Sequence, residues 1–179
     1  MTISIEAVKE LREKTGISIA ECRKALEETS GDMEKALEFL KERSAITAAK
    51  KSDRELGSHA VAAYIHPTGG MGVLVDLMCE TDFVSGNDEI KALAKDIAMQ
   101  VASMKPLVIK REDITEEMMA TLKGELEEGG DIEAKIKEVT LFEQPFVKNP
   151  DLTIGGLVAQ AIQKFGENVV ISHMTRYGN

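Results

Sequence analysis

The length of 179 residues is enough for one domain, or for one domain with a small appendage. Hydrophobic residues make up 43% and charged residues 30% of the chain, a composition typical of a folded protein and not of a disordered tail. Its formal net charge of −9 argues against a direct nucleic-acid partner, because such proteins usually present a basic face to phosphate. No apolar run reaches the roughly 18 residues of a membrane helix, and the charged start MTISIEAVKELREK lacks a signal-peptide pattern, so we expect a cytoplasmic protein with no membrane partner.

Residues 4–42 are predicted to form three short helices. Ser4 is suited to cap the first helix, and Gly16 to end it in a left-handed conformation. Ser18 opens the second helix in a capping-box pattern, and Asp32 caps the third. Three helices with tight turns form a compact bundle, which is small enough to act as a docking module.

Residues 43–58 differ from their neighbours, because they are helix-capable but lack a clear apolar stripe. We interpret them as a linker with some helical character, between an N-terminal module (1–42) and a core domain (59–179). A local basic patch is one interpretation of the cations near this segment, although solvation of a helix and a linker is the simpler explanation. These cations are Lys41, Arg43, Lys50, Lys51 and Arg54.

The next two segments alternate between apolar and polar residues, as strands with one buried face do. They cover residues 60–66 and 72–79, and the glycine-rich loop between them predicts a β-hairpin. The loop contains a Gly-Gly-x-Gly pattern. Because it joins two strands, and not a strand and a helix, it is not predicted to bind phosphate.

The stretch Cys79-Glu80-Thr81-Asp82-Phe83-Val84 places an acid and a large aromatic residue at a strand-to-helix turn. The whole chain has only five Phe and two Tyr, so a Phe at a turn needs an explanation. Phe83 either folds back into the core beneath the turn, the better explanation for an isolated Asp-Phe pair, or faces a partner. The order of the flanking elements favours a partner.

Helical periodicity is clearest over residues 87–104 and recurs over 153–166, while 168–177 is predicted to be the last strand. Residues 114–142 are predicted to form a charged arm of two helices that turns at Gly129-Gly130. The predicted fold class is therefore α+β. A three-helix module precedes a small antiparallel sheet of about three strands, which helices cover.

The sequence gives no support to a catalytic or metal site. No cysteine lies at metal-ligand spacing from His59, His66 or His173, so we expect no metal and no cofactor. Cys22 and Cys79 are too few for a disulfide framework and are interpreted as buried thiols in a reducing cytoplasm. A thiolate pair of Cys79 with a histidine is the alternative, but a buried Cys is usually inert. Without a nucleophile elbow, dinucleotide fingerprint or Walker loop, the chain is expected to act by binding and not as an enzyme.

Several segments together resemble one known family. Val8-Lys9-Glu10-Leu11-Arg12-Glu13-Lys14-Thr15-Gly16, Cys22-Arg23-Lys24-Ala25-Leu26 and Gly31-Asp32-Met33-Glu34-Lys35-Ala36 resemble the N-terminal, ubiquitin-associated-like module of bacterial translation elongation factor Ts. The stretch 79–84 resembles the central signature of that family. Ser103-Met104-Lys105-Pro106 and Gln144-Pro145-Phe146-Val147 resemble two later segments. Each piece is weakly specific, but the ordered set is highly specific and covers essentially the whole chain.

The resemblance implies guanine-nucleotide exchange on elongation factor Tu. The factor would bind the GDP form of that GTPase, and GDP and magnesium would leave so that GTP can bind. By motif position, Asp82 and Phe83, flanked by Thr81 and Val84, would reach the magnesium and phosphate site, with Phe83 as a wedge. Further partner contacts are implied at Arg12, Ile19, Arg23 and His66. For His66, a solvated turn histidine is the alternative.

The chain resembles the short form of the family, since longer members carry two related halves in the core and this one has a single half. A single half leaves one sheet face uncovered, with Leu74, Met78 and Tyr64 on it, which favours a homodimer. In the alternative to a dimer, the arm at 114–142 folds across that face.

A second function is also open, that of a ubiquitin-associated-type adaptor without exchange activity. An adaptor could bury the Asp82-Phe83 turn, whereas an exchange factor must expose it.

Overall fold

A computed structural model of the chain describes residues 3–126 and 130–178. The described residues form eight α-helices: α1 (Ile5–Thr15), α2 (Ile19–Glu28), α3 (Met33–Ala49), α4 (Asp82–Ser85), α5 (Asp88–Met104), α6 (Glu116–Gly124), α7 (Ile132–Val139) and α8 (Ile154–Phe165). The strands are β1 (Ser58–Ile65), β2 (Met71–Cys79), β3 (Pro145–Phe146), β4 (Asn149–Thr153) and β5 (Val169–Gly178). The predicted α+β class is confirmed. Among these helices, none is both long and apolar enough to cross a membrane.

The first three helices form a small bundle around Leu11, Leu26 and Leu40, which are fully buried. Their N-termini are capped as the sequence predicts. The Ser4 hydroxyl accepts a hydrogen bond from the Ala7 N–H at 3.1 Å, and the Asp32 carboxylate accepts from two N–H groups in the first turn of α3. Each cap satisfies donors that the helix itself leaves without acceptors.

Helix α3 continues to Ala49, well inside the range that the sequence predicts as linker. Its last part packs on α8, and the Ser44 hydroxyl donates a hydrogen bond to the Gln163 side chain. The apolar stripe of this segment is weak because small residues such as Ala48 can fill the contact where two helices approach closely. The bundle is therefore joined to the core by a continuous helix.

Strands β1, β2 and β5 form one antiparallel sheet with β2 in the centre. At one end of the sheet, Cys79 pairs with Ser58 on one side and with Val169 on the other. The three predicted strands are confirmed. The end of β2 and the starts of β1 and β5 therefore meet at the point where the chain turns into α4.

One face of the sheet is the core of the protein. Alternate residues of β2 are buried on it against α5, as the period of two predicts. They are Val73, Val75, Leu77 and Cys79. Tyr64 also packs against this core, because it pairs with Val73 across the hairpin and paired residues share a face. The assignment of Tyr64 to the uncovered face is wrong.

The opposite face, which we call the outer sheet face, carries exposed apolar side chains around the hydrogen-bonded pair of His59 and Asp76. Val61 is 66% exposed, Tyr177 is 67% exposed and Leu74 is 48% exposed. Since these side chains remain in contact with solvent, the described part of the arm does not fold across the face. Among the residues that the structure describes, the arm does not cover the sheet, so that alternative is wrong.

The arm consists of α6 and α7, which pack against each other. Its predicted turn lies partly outside the described residues, because Gly129 is not among them. Arg111 ties the arm to the core: its guanidinium donates hydrogen bonds to Glu133 of α7 at 2.8 Å and to Glu143 at 2.8 and 2.9 Å. These contacts fix the base of the arm.

A buried amide pair holds the segment that follows the arm. The Gln100 side chain of α5 donates hydrogen bonds to the Gln144 side chain and to the Pro145 carbonyl, each at 3.1 Å. It also accepts a hydrogen bond from the Val147 N–H at 2.9 Å. Buried amides need such partners, because a lost hydrogen bond in the interior is not replaced by water.

We predict that Gln100→Ala lowers the free energy of unfolding by about 2 to 3 kcal/mol, because it leaves the Val147 N–H and the Gln144 side-chain oxygen without partners. Urea denaturation measures the change. The matched control is Gln160→Ala, at a half-buried position of α8, which should shift stability by about 0.5 kcal/mol or less. Equal losses in the two variants would contradict a special role for the amide pair.

Candidate functional site

The candidate site begins where β2 ends. The predicted turn is a one-turn helix, α4, whose cap is Thr81: its hydroxyl accepts a hydrogen bond from the Val84 N–H at 3.4 Å. Gly86, directly after the helix, lies close to the backbone of α4: a Cβ at this position would be 2.8 Å from the Asp82 carbonyl oxygen. A glycine at this position is thus favoured by a close backbone approach.

The four residues of the predicted partner-binding stretch divide into two groups. Thr81, Asp82 and Phe83 are exposed, and Phe83, at 80%, is the most exposed large hydrophobic side chain among the described residues. Val84 is 2% exposed and belongs to the core, and Ser85 next to it is also buried. The alternative in which Phe83 plugs the core is wrong, because Val84 fills that place.

Glu80 anchors the turn from the side of the linker. One of its carboxylate oxygens accepts a hydrogen bond from the Asn168 N–H, and the Arg54 guanidinium lies 3.1 Å from the same oxygen. The Asn168 N–H, followed by the Arg54 guanidinium, lowers the pKa of Glu80 below its ordinary value of 4.5. The carboxylate is therefore ionised at neutral pH and joins three segments of the chain.

Glu167 anchors the turn from the connection between α8 and β5. Its two carboxylate oxygens accept hydrogen bonds from Thr81, one from the N–H at 3.0 Å and one from the hydroxyl at 2.7 Å. No local sequence pattern points to Glu167, which is 86 positions away from Thr81. The pairing of the last strand with β2 places the residues before Val169 next to those after Cys79, and this pairing is seen only in the fold.

Two further hydrogen bonds complete the support of α4. The Ser85 hydroxyl lies 2.7 Å from the hydroxyl of Ser58, the first residue of β1. The Gly57 N–H donates to the Cys79 carbonyl at 3.0 Å. The one-turn helix is therefore fixed to β1, to β2 and to the turn before β5, while its outward residues remain exposed.

The other predicted partner contacts are not brought to this turn. His66 lies at the hairpin loop, at the far end of β2 and about 25 Å away along the strand. Its Nδ1 is 2.8 Å from the Thr68 hydroxyl, which is the environment of a turn histidine. Ile19 and Arg23 are exposed one helical turn apart on α2, and Arg12 is exposed on α1.

The thiols do not form a reactive site. Burial raises the pKa of the Cys79 thiol to about 11, and Glu167 and Asp76 add to the effect. Burial also raises the pKa of Cys22. Both groups are therefore neutral thiols at pH 7. No cluster of three His, Cys, Asp or Glu side chains suited to a metal ion occurs among the residues that the structure describes.

Comparison with known proteins identifies the family. The family model described as Elongation factor TS matches residues 3–178. The chain is 45% identical to the Elongation factor Ts of Carboxydothermus hydrogenoformans, over 98% of this chain and 88% of that protein. The proteins of the same name from Heliobacterium modesticaldum and Thermotoga petrophila are 44% and 41% identical, over 98% and 99% of this chain and 89% and 96% of their own lengths.

These matches, together with the α+β fold and the exposed turn, place the chain in the class of translation elongation factors. Within that class, it belongs to the elongation factor Ts family. The resemblance found in the sequence is confirmed. The match extends through the N-terminal bundle, the arm and the sheet, so both anchors of the turn lie inside the family region.

The pKa of Glu80 generates a test of its anchoring role. Because the pKa is lower in the folded chain than its ordinary value of 4.5, the ionised form stabilises the fold. This contribution is complete above about pH 4.5 and is lost as the pH falls through the lower folded-state pKa. Glu80→Gln, which keeps an acceptor but removes the charge, should be less stable than the parent at pH 7.

The stability difference between the two proteins should shrink toward pH 3. Urea unfolding at a series of pH values measures it. A difference that is constant over this range would show that the charge of Glu80 does not contribute.

Proposed function

We propose that this protein binds elongation factor Tu in its GDP form and promotes release of GDP and magnesium, so that GTP can bind. The names of its relatives and the family match support a role in translation elongation. The site for this action is the Asp82-Phe83 turn. In this proposal the protein is a cytoplasmic exchange factor that acts by binding, with no covalent step.

One observation carries the proposal: Phe83 is 80% exposed on a turn that is hydrogen-bonded to β1 and to the segment before β5. An exposed aromatic side chain on a rigid support is an efficient interface anchor, since it gains apolar contact while losing little conformational freedom. The adaptor alternative does not require this exposure. Exposure of the turn therefore favours the exchange function.

The proposed mechanism relies on competition between two ligands of the GTPase. Magnesium offsets the charge of the nucleotide phosphates, so a side chain that disturbs its surroundings weakens nucleotide binding. Phe83 acts as the wedge and Asp82 brings a negative charge beside the phosphates. Coupling of this kind is reciprocal, so incoming GTP weakens the binding of the factor by the same free energy.

We further propose that the N-terminal module (1–42) makes a second contact with the GTPase through Arg12, Ile19 and Arg23. Ile19 is 52% exposed and is not part of the buried core of the bundle. Residues 43–58 link this module to the core domain (59–179). In this division, two surfaces bind the GTPase and the arm at 114–142 is an appendage of the core.

The wedge is tested by Phe83→Ala. The maximal rate at which the protein releases GDP from GDP-loaded elongation factor Tu should fall by at least about tenfold, because an interface anchor is lost. The melting temperature should remain near that of the parent, since the side chain is not packed. Stopped-flow release of a fluorescent GDP analogue measures the rate.

Leu107→Ala is the matched control for Phe83→Ala, because Leu107 is also an exposed apolar residue, at 58%, but lies beyond the end of α5. Its release rate should equal that of the parent. If Phe83→Ala melts far below the parent, or if both variants release GDP at the parental rate, Phe83 is not the wedge.

We also propose that two copies of the chain pair through the outer sheet face. This face is apolar on all three strands, at Val61, Leu74 and Tyr177. A three-stranded sheet is near the lower limit for independent stability. Two-fold pairing of the same face is the commonest way to hide such a surface from water.

The homodimer predicts that the parent has about twice the mass of the 19.5 kDa chain in light scattering at micromolar concentration. Leu74→Glu, in the central strand, should give the monomer mass with an unchanged circular dichroism spectrum, because a charge would be buried in the interface. Leu107→Glu is the control and should remain a dimer. A parent of monomer mass at all concentrations would exclude the homodimer.

A further inference from the structure

We propose that Glu167 is a positioning residue for nucleotide exchange, which holds the Asp82-Phe83 turn in the orientation that the partner requires. This inference rests on the proposed exchange function. Glu167 lies outside the turn and outside α4, in the connection between α8 and β5. Its two hydrogen bonds to the turn both come from Thr81.

The contact between Glu167 and Thr81 has the geometry of a clamp. Both carboxylate oxygens are used, and both donors belong to one residue: the Thr81 N–H at 3.0 Å and the Thr81 hydroxyl at 2.7 Å. The hydroxyl oxygen also accepts from the Val84 N–H, inside α4. The Glu167 carboxylate is therefore connected, through the Thr81 hydroxyl, to the backbone of the turn that carries Phe83. Hydrogen bonds to a carboxylate are stronger than those between neutral groups.

The clamp is reciprocal. Glu80, which follows β2, accepts a hydrogen bond from the backbone N–H of Asn168, while Glu167, next to Asn168, accepts from the backbone N–H of Thr81. The last backbone pair between the two strands is Cys79 with Val169. Beyond that pair, side-chain carboxylates take over the N–H groups that a longer ladder would have satisfied.

The backbone that presents Glu167 is itself fixed. Gly166 ends α8 in a left-handed conformation, with φ of 72°, and its carbonyl accepts a hydrogen bond from Lys51. Asn168 is buried, and its side-chain amide donates to the Ser52 carbonyl at 3.4 Å. Glu167 is thus held between two pinned residues, so its carboxylate is a fixed reference for the turn.

A fixed reference is needed because Phe83 has no packing on its outward side. The orientation of an exposed wedge depends on the backbone beneath it, and a loosened backbone must be ordered again during binding. A small displacement of a reacting or displacing group reduces a rate strongly. Loss of the clamp should therefore affect the rate of nucleotide release more than the stability of the fold.

The first experiment uses the isolated full-length chain. Glu167→Ala should increase the hydrogen-exchange rate of the Thr81 amide, measured by NMR, by at least about tenfold, while amides in the centre of β2 keep their protection. Glu167→Gln, which has one acceptor oxygen, should have an intermediate effect. The control, Glu117→Ala, removes an equal charge from an exposed position of α6 and should change neither rate.

The second experiment measures GDP release from elongation factor Tu. Glu167→Ala should lower the maximal release rate by roughly tenfold and change the half-saturating concentration by less than about twofold. Glu167→Gln should restore part of the rate, and Glu117→Ala should match the parent. In a Thr81→Ala background, Glu167→Ala should reduce the rate by a smaller factor, because the hydroxyl contact is already absent.

The inference is overturned if Glu167→Ala leaves the Thr81 amide protected, or if it releases GDP at the parental rate. It is also overturned if the GDP release rate of Glu167→Ala falls only as far as its lower melting temperature explains, and Glu167→Gln restores neither the rate nor the melting temperature. Failure of the proposed function is a separate result. If the parent protein does not accelerate GDP release, the exchange function is wrong, and Thr81 amide exchange still decides whether Glu167 fixes the turn.

Discussion

The end of the central strand is held by two carboxylates, each of which accepts a backbone hydrogen bond from the segment opposite. Glu80 bonds to the N–H of Asn168, and Glu167 bonds to the N–H of Thr81. Without these contacts, the residues after Cys79 and those before Val169 would lose the hydrogen bonds that join them beyond the last backbone pair of the two strands. The geometry of the candidate site therefore depends on side chains that lie outside it.

Adjacent residues of the turn have opposite environments. Phe83 faces solvent, whereas Val84 is packed in the core beneath the sheet end. Burial of the larger aromatic side chain would contribute more to folding than burial of valine, since the hydrophobic contribution grows with the apolar area removed from water. The chain forgoes this contribution, and an exposed aromatic on a fixed backbone is the feature that a binding surface requires.

Strand β2 connects the two apolar surfaces of the core domain. Its inner residues form the core against α5, its outer residue Leu74 lies on the outer sheet face, and its end carries the Asp82-Phe83 turn. The two exposed surfaces lie on β2 and just beyond its end, so the proposed pairing through the sheet face and the proposed insertion of Phe83 into a partner use different residues. Arg54, which lies between α3 and β1, also supports the turn, because it pairs with Glu80.

The sequence by itself determined the local features of this protein. The caps at Ser4 and Asp32, the hairpin and the strand-to-helix turn follow from short-range patterns, because a cap or a turn is formed by residues a few positions apart. The family could also be recognised from ordered motifs. Tertiary structure alone decided which turn residue is exposed, since Phe83 and Val84 are both apolar and only the shape of the core selects between them. It alone brought Glu167 to Thr81 and buried Gln100 beside Gln144, because these partners are far apart in sequence and no local pattern specifies them.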